Sequence, residues 1–490
     1  MKLKEVYDVV VVGAGNAGLC SAISAAQKGK RVLVIEKAPR IYRGGNSSLT
    51  MNFRFPHNNF EELLSLIDDG DRNLKIEEVL RESYMPYTKD DFLHDLRSTS
   101  DNQGDLDLQE TLVDKSFETI LWMANLGHKW TYKDFGNIFK RNIPLKIKGS
   151  GKSLQERNFN IAESLGVDIM YCTSLYDFVM VDNCVKELIL TKDNGELFHL
   201  PANSLILALG GYEANPYFRQ KFLGESWENV GIRGVPFNTG DWFFPAIKNN
   251  IQLYGDYSEV GCHATPQSSY LPDYLLPGEN IKSQNQSRYQ FNLGITINHD
   301  GKRFFDEGEN MPNFLYAKVG RMINKQINNM AFQIFDRKTV GFLSQSYFSD
   351  ENLFSSNSLR VMCEKFGINH RNLHDTIESY NRNCVDNVIC DFSYLDGNKS
   401  VDCFGVPKSN WAQKIDTPPY YIAPVKAGVT FTYGGLKVRP DARVYRTNGE
   451  CIDNMFACGE IMGGVHYGNY AGGTGLMLGA VFGRIAGENA

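Results

Sequence analysis

The chain lacks an uninterrupted apolar run of the ~20 residues that a membrane-spanning helix needs, so no membrane span is expected. It lacks any Cys-x-x-Cys pair. Its ten cysteines are scattered, which argues against a zinc site or a disulfide framework and for reduced thiols in a cytoplasmic protein. There is no haem attachment motif and no iron–sulfur cysteine cluster. Positive charge is not in surplus: the net charge is −6, which implies no general affinity for nucleic acid or an anionic membrane. Internal repeats and low-complexity segments are missing. The opening, MKLKEVYD, runs directly into an apolar strand, so no signal peptide is expected.

What remains is an ordinary globular composition. At 490 residues, 42% apolar and 22% charged, the chain can bury a substantial core and form two domains.

The most informative stretch is Tyr7 to Glu36. The β-branched run Val9–Val12 predicts a buried parallel strand. Gly13, Gly15 and Gly18 follow in G-x-G-x-x-G spacing, then an Ala/Ser-rich helix, then a second apolar run ending at Glu36. This is the order of a dinucleotide site. Gly13 permits the turn out of the strand, Gly15 lets backbone N–H groups approach a pyrophosphate, and Gly18 allows close helix–strand packing. The helix N-terminus offers donors and positive potential to phosphates. Glu36 is placed to accept both hydroxyls of an adenosine ribose, and its charge argues against a 2′-phosphate.

Further along, Arg43–Thr50 carries two glycines and short polar side chains that suit a pyrophosphate or a flavin edge, or simply a polar loop. Residues 58–131 show helical spacing, with Trp122 and Trp130 expected in the core. Gly149–Lys152 precedes a helix, Val167–Tyr171 reads as a strand, and an antiparallel segment follows. Ser204–Gly211 reads as a buried parallel strand entering a glycine turn beside the first strand. From 259 to 424 the β-α-β rhythm is lost, which marks an inserted second domain. After 425 it returns: Met455–Glu460 is a short strand, and Gly472–Gly475 opens a final helix. A fold whose end returns to complete the site suggests FAD, which is held at adenosine, pyrophosphate, ribityl chain and ring.

Together the glycine motif, RGGNSSLT, LILALGG, GKRFFDEG and FACGEIMGG…GGTGLMLGAVFGRIAG resemble the succinate dehydrogenase/fumarate reductase flavoprotein superfamily. Within it the pattern is most like the FAD-dependent tricarballylate dehydrogenases, through IRGVPFNTGD, GCHA, NFLYAKVGR and GVTFTY. The resemblance implies an α/β fold: a Rossmann-like FAD-binding domain of the fumarate reductase type at 1–258 and 425–490, with an α+β capping domain at 259–424. It implies hydride exchange between flavin N5 and a C–C bond α,β to a carboxylate or ketone. Implied FAD contacts are Gly13, Gly15, Asn16, Ala17, Gly18, Glu36, Lys37, Gly44, Gly45, Asn46, Ser47, Gly210, Gly459, Glu460, Thr474, Gly475 and Leu476.

Three departures qualify it. The loop where quinone-linked members tether FAD through a histidine has Leu49 and no histidine, so FAD is expected to be non-covalent. The arginine proton donor of fumarate reductases falls on Met311 and Pro312. The carboxylate-binding histidine and arginine fall on Thr430, Phe431 and Tyr470. A substrate less anionic than tricarballylate is therefore expected. Candidate catalytic groups are His263, Arg288, Tyr421, Tyr433, His466 and Tyr470, with no metal. Expected partners are a small-molecule substrate and an unidentified electron donor or acceptor. An FAD-dependent isomerase or lyase with no net redox change is the alternative.

Overall fold

The computed structural model describes residues 7–72, 74–82, 84–132, 145–267, 287–349, 352–386 and 388–490; the first six residues of the opening segment lie outside these. In chain order the elements that place the site are β1 (Val9–Val12), α1 (Asn16–Gln27), β2 (Val32–Ile35), β3 (Asp168–Met170), β4 (Ser204–Leu207), β5 (Gly231–Ile232), β6 (Val260–Pro266) and β7 (Ile295–Ile297). They continue with α2 (Pro312–Asn324), β8 (Met330–Phe335), β9 (Tyr420–Thr432), β10 (Arg443–Tyr445), β11 (Cys451–Ala457) and α3 (Thr474–Asn489).

The β-branched run of β1 is buried along its whole length, as a strand covered on both faces requires. It pairs in parallel with β2 (Val9↔Val32) on one side and β4 (Val9↔Ser204) on the other. The sheet order is β10-β11-β4-β1-β2-β3, with β10 antiparallel at the edge. The crevice beyond the carboxyl ends of β1 and β4 is where such a sheet binds ligands. The chain leaves β1 through Gly13 at φ +103°, and a Cβ there would lie 2.2 Å from the Ala208 carbonyl oxygen, so only glycine fits.

Two helices from opposite ends of the sequence pack over this sheet. α3 lies against α1 through glycines spaced four apart. A Cβ on Gly483 would sit 2.4 Å from the Ala17 carbonyl oxygen, and one on Gly487 2.3 Å from that of Ser21. This spacing puts the glycines on one helix face. Two hydrogen bonds fasten the pair: Asn16 Nδ2 donates to the Leu476 carbonyl (2.9 Å), and Ser24 Oγ to that of Arg484 (3.0 Å). Both helices therefore start at the same place.

A second, mixed sheet runs β7-β8-β9-β5, with β6 paired antiparallel to β9. It takes in β5, before residue 259, and the end of β9, after residue 424. Its spine is the thirteen-residue β9. Near its start Ile422 packs with Ile295, Phe332 and Ile334; its far end reaches the first sheet's crevice. Arg303 ties this part together, fully buried and paired with Glu307 and Asp402. The expected helices between 58 and 131 form, and the run ends in a short strand, Trp130–Tyr132, with Trp130 buried. Among the described residues no helix is long and apolar enough to cross a membrane.

The α1–α3 contact sets a test. Gly483→Val pushes two methyl groups into backbone and costs about 3 kcal/mol by overpacking. It should lower Tm and release bound flavin on gel filtration. Gly341→Ala, at a glycine with no neighbour within 4 Å, should change stability by less than about 0.5 kcal/mol.

Candidate active site

One cavity of about 650 Å³ runs from the carboxyl end of β2 to the inner face of the second sheet. At its first end Glu36 is buried, accepting hydrogen bonds from the backbone N–H groups of Ala14 (2.8 Å) and Ala38 (2.7 Å). Burial raises its pKa and these bonds work against the rise. Lys37 beside it pairs with Asp241 at 2.9 Å and bonds Thr239. Further in, the wall is made by Gly15, Gly45 and Ser47, whose hydroxyl accepts from the Asn16 N–H at 3.1 Å. Asn46 is held from both sides, donating to Glu213 at 2.6 Å and accepting from the Val235 N–H at 2.8 Å.

The first turns of α1 and α3 both face this space. Their N-caps, Gly15 and Gly473, provide no side-chain acceptor. Two sets of helix-terminal N–H groups thus point into one cavity, a setting for anionic groups at two separate points. With a carboxylate at one end and donors in the middle and beyond, the donor set fits FAD: Glu36 would hold the adenosine, and α1 and α3 would face the pyrophosphate and the ring. All the residues expected to contact the cofactor line the cavity except Gly18, Gly44 and Thr474. Gly18 packs on the Gly13 carbonyl, Gly44 on Gln155, and the Thr474 hydroxyl donates to the Ala471 carbonyl.

At the cavity wall the half-buried Glu460 meets a second carboxylate, the buried Glu213. Glu213 accepts from Asn46 and Asn238, both at 2.6 Å; Glu460 accepts from the N–H (2.8 Å) and hydroxyl (3.1 Å) of Thr432 at the end of β9. A Cβ at Gly211 would lie 2.3 Å from Glu460 and 2.7 Å from Glu213, so the two meet over a residue that has none. Burial raises both, Glu213 to about 7 and Glu460 well above its ordinary range, the latter also because Glu213 is charged. Two carboxylates this close disfavour both being charged at once.

The far end is aromatic. His263 on β6 is buried between two phenols: Tyr289 Oη lies 2.6 Å from Nδ1 and Tyr470 Oη 3.2 Å from Nε2. Tyr316 on α2 closes the group, its ring 4.6 Å from that of His263 and 5.6 Å from that of Tyr470. Burial holds His263 well below its usual pKa, helped by the nearby Arg233 charge, so the ring is neutral. Burial also pushes the Tyr470 and Tyr289 hydroxyls up, so they keep their protons. A neutral imidazole donates at one nitrogen and accepts at the other, which makes Tyr289–His263–Tyr470 a directional proton chain.

Of the catalytic candidates, His263 and Tyr470 stand in the wall. Tyr433 and His466 are buried behind it; His466 lies 5.7 Å from the Tyr470 ring and Tyr433 6.2 Å, and burial takes His466 down to about 3. Arg288 lies outside the wall with its guanidinium over Tyr347 at 4.6 Å. Tyr421 is also outside it, paired with Phe335 at the start of β9. An extended chain from there to Thr430, which does line the cavity, covers about 30 Å. Sequence reasoning missed Arg233, Tyr289 and Tyr316. Tyr289 follows Arg288 directly, and Arg233 and Tyr316 stand inside the quoted IRGVPFNTGD and NFLYAKVGR motifs, so adjacency and motif membership were the available signals.

Comparison with known proteins agrees with this geometry. Residues 80–476 match the family described as FAD binding domain, and residues 8–131 match FAD dependent oxidoreductase. The NADH:acrylate oxidoreductase of Vibrio harveyi is 27% identical over 100% of this chain and 50% of its own length. The urocanate reductase of Eggerthella lenta is 27% identical over 99% of this chain and 74% of its own. The chain thus spans about half the length of the first relative. The fold of a flavocytochrome c3 fumarate reductase in its open conformation superposes with a TM-score of 0.73 at 22% identity, covering 99% of this chain and 78% of that one.

The carboxylate pair makes stability depend on pH. The folded pKa of Glu213, about 7, lies above its ordinary value of 4.5. The folded state therefore holds a proton that the unfolded chain releases earlier. The contribution is complete below pH ~4.5 and is lost as pH rises through ~7, tilting stability by about 1.4 kcal/mol per pH unit for one proton. Tm should fall between pH 5 and 8. In Glu213→Gln, which keeps the shape of the protonated acid and removes the titrating group, the fall should flatten, as read by calorimetry across that range.

Proposed function

Since the chain belongs to the FAD-binding family of the succinate dehydrogenase/fumarate reductase flavoproteins, we propose that it is an FAD-dependent oxidoreductase reducing a C=C bond conjugated to a carboxylate. The observation that carries this reading is the continuity of one cavity from Glu36, past two helix N-termini, to the Tyr289–His263–Tyr470 chain. When bound, FAD supplies the hydride equivalent. The protein supplies the rest. Reduction of a conjugated C=C bond needs a proton at the carbon next to the carboxylate, and Tyr470 Oη holds it. His263 Nε2 orients that hydroxyl and returns a proton to it, with Tyr289 as the outer member. The buried rings of Tyr316 and Tyr470 and the half-buried ring of Phe431 exclude water from the reacting bond.

FAD is held without a covalent bond in this reading. Among the described residues His263 is the one histidine of the wall, and both of its nitrogens already have partners. Electrons arrive from a separate donor; the fumarate-reductase arginine is replaced by Pro312, which lines the cavity and carries no proton.

The purified chain should be yellow, and acid precipitation should leave its flavin in the supernatant. Anaerobic, dithionite-reduced enzyme should be reoxidised by an α,β-unsaturated acid. Tyr470→Phe should slow that step by about 10²- to 10⁴-fold, and His263→Asn by less, with ligand affinity little changed. A flavin that no such acid reoxidises overturns the proposal, as does turnover with no electron donor present.

A further inference from the structure

We infer that Arg233 is the anchor for the substrate's single carboxylate, and that the substrate is a planar monocarboxylic acid whose double bond is conjugated to an aromatic or other π group. This rests on the function proposed above and names the substrate class for that site. Arg233 follows β5 directly, fixed by its backbone N–H to the Val429 carbonyl at 2.6 Å. Its Nε donates to Ser287 Oγ at 2.9 Å, and among the described residues its two terminal nitrogens have no partner and no carboxylate pairs with it. The other cations of the wall are taken: Lys37 pairs with Asp241, and Lys146 is engaged. Arg233 is thus the wall's available fork of donors, and such a fork matches a carboxylate with two parallel bonds.

Its surroundings define what the carboxylate is attached to. Arg233 shares the cavity wall with His263, Tyr289, Tyr316 and Tyr470. Their rings stand edge to face, Tyr289 on Tyr316 at 4.9 Å and Tyr316 on Tyr470 at 5.6 Å, with Phe431 5.3 Å from Tyr470. Such a box receives a flat π system. Thr430, Phe431 and Tyr470 also stand in the wall, and among the described residues it holds no Lys or Arg besides Lys37, Lys146 and Arg233. A second carboxylate would be buried there without a cation, a costly arrangement. Fumarate and tricarballylate fit poorly for the same reason.

The test uses the flavin-loaded full chain and three probes: 3-phenylpropenoate, its neutral amide, and fumarate. Binding is read from the flavin spectrum and from the ligand-induced shift in Tm, then reoxidation of the reduced enzyme is timed. The phenyl acid should bind at least about tenfold more tightly than the amide or fumarate. Arg233→Met should weaken the acid about 10- to 100-fold, leave the amide and the flavin content unchanged, and be partly rescued by Arg233→Lys. If Arg233→Met binds the acid like the parent while the acid still reoxidises the flavin, the anchor assignment falls and the proposed function stands. Tighter binding of fumarate overturns the substrate class. If none of the probes perturbs or reoxidises the flavin, both fall.

Discussion

The structure depends on how closely α1 and α3 approach. Their glycine-lined contact brings a helix from the first thirty residues against one from the last twenty, and both begin at the same crevice. A single helix N-terminus stabilises negative charge only within about one turn. A ligand with negative charge at two separated points needs two, and two helices at ordinary packing distances of 8–10 Å would set those points by their side chains. Glycine every fourth residue removes the side chains and lets backbone geometry set the spacing.

From that contact the remaining arrangement follows. The parallel sheet presents the carboxyl ends of β1 and β4 below the crevice, Glu36 closes one end, and the second sheet hangs over the other. The polar groups nearest the cofactor path are strongly constrained. Asn46 has partners on both sides, Glu36 is gripped by backbone, and burial raises the pKa of both Glu213 and Glu460. At the far end the polar groups are phenols and an uncharged imidazole, and the half-buried Arg233 supplies positive charge.

The first of these regions was legible in the sequence and the second was only partly so, for a physical reason. Gly13, Gly15, Gly18 and Glu36 act through backbone geometry within one βαβ unit, so their spacing along the chain is their spacing in space. Residues of the aromatic end come from β6, α2 and segments around 233, 289 and 470, and converge only through the pairing of β5 and β6 with β9. Linear reading found His263 and Tyr470 because family motifs surround them. It chose Arg288 over its neighbour Tyr289, which turns into a short helical turn, Gln290–Leu293, and faces the cavity while Arg288 stacks on Tyr347. It offered Tyr421 because a residue's place along a strand thirteen residues long does not disclose which end meets the ligand.

The length of β9 has a mechanical consequence. One unbroken strand has Ile422 in the packed interior of the second sheet's helices and Thr432 holding the Glu460 carboxylate. Extended backbone is stiff along its axis, so it behaves as a tie rod between the two bodies. Any displacement of that sheet that preserves this strand is carried to Thr432 and to its two hydrogen bonds to Glu460. The packed interior of the second sheet and the Glu460 carboxylate are therefore joined by a single length of strand.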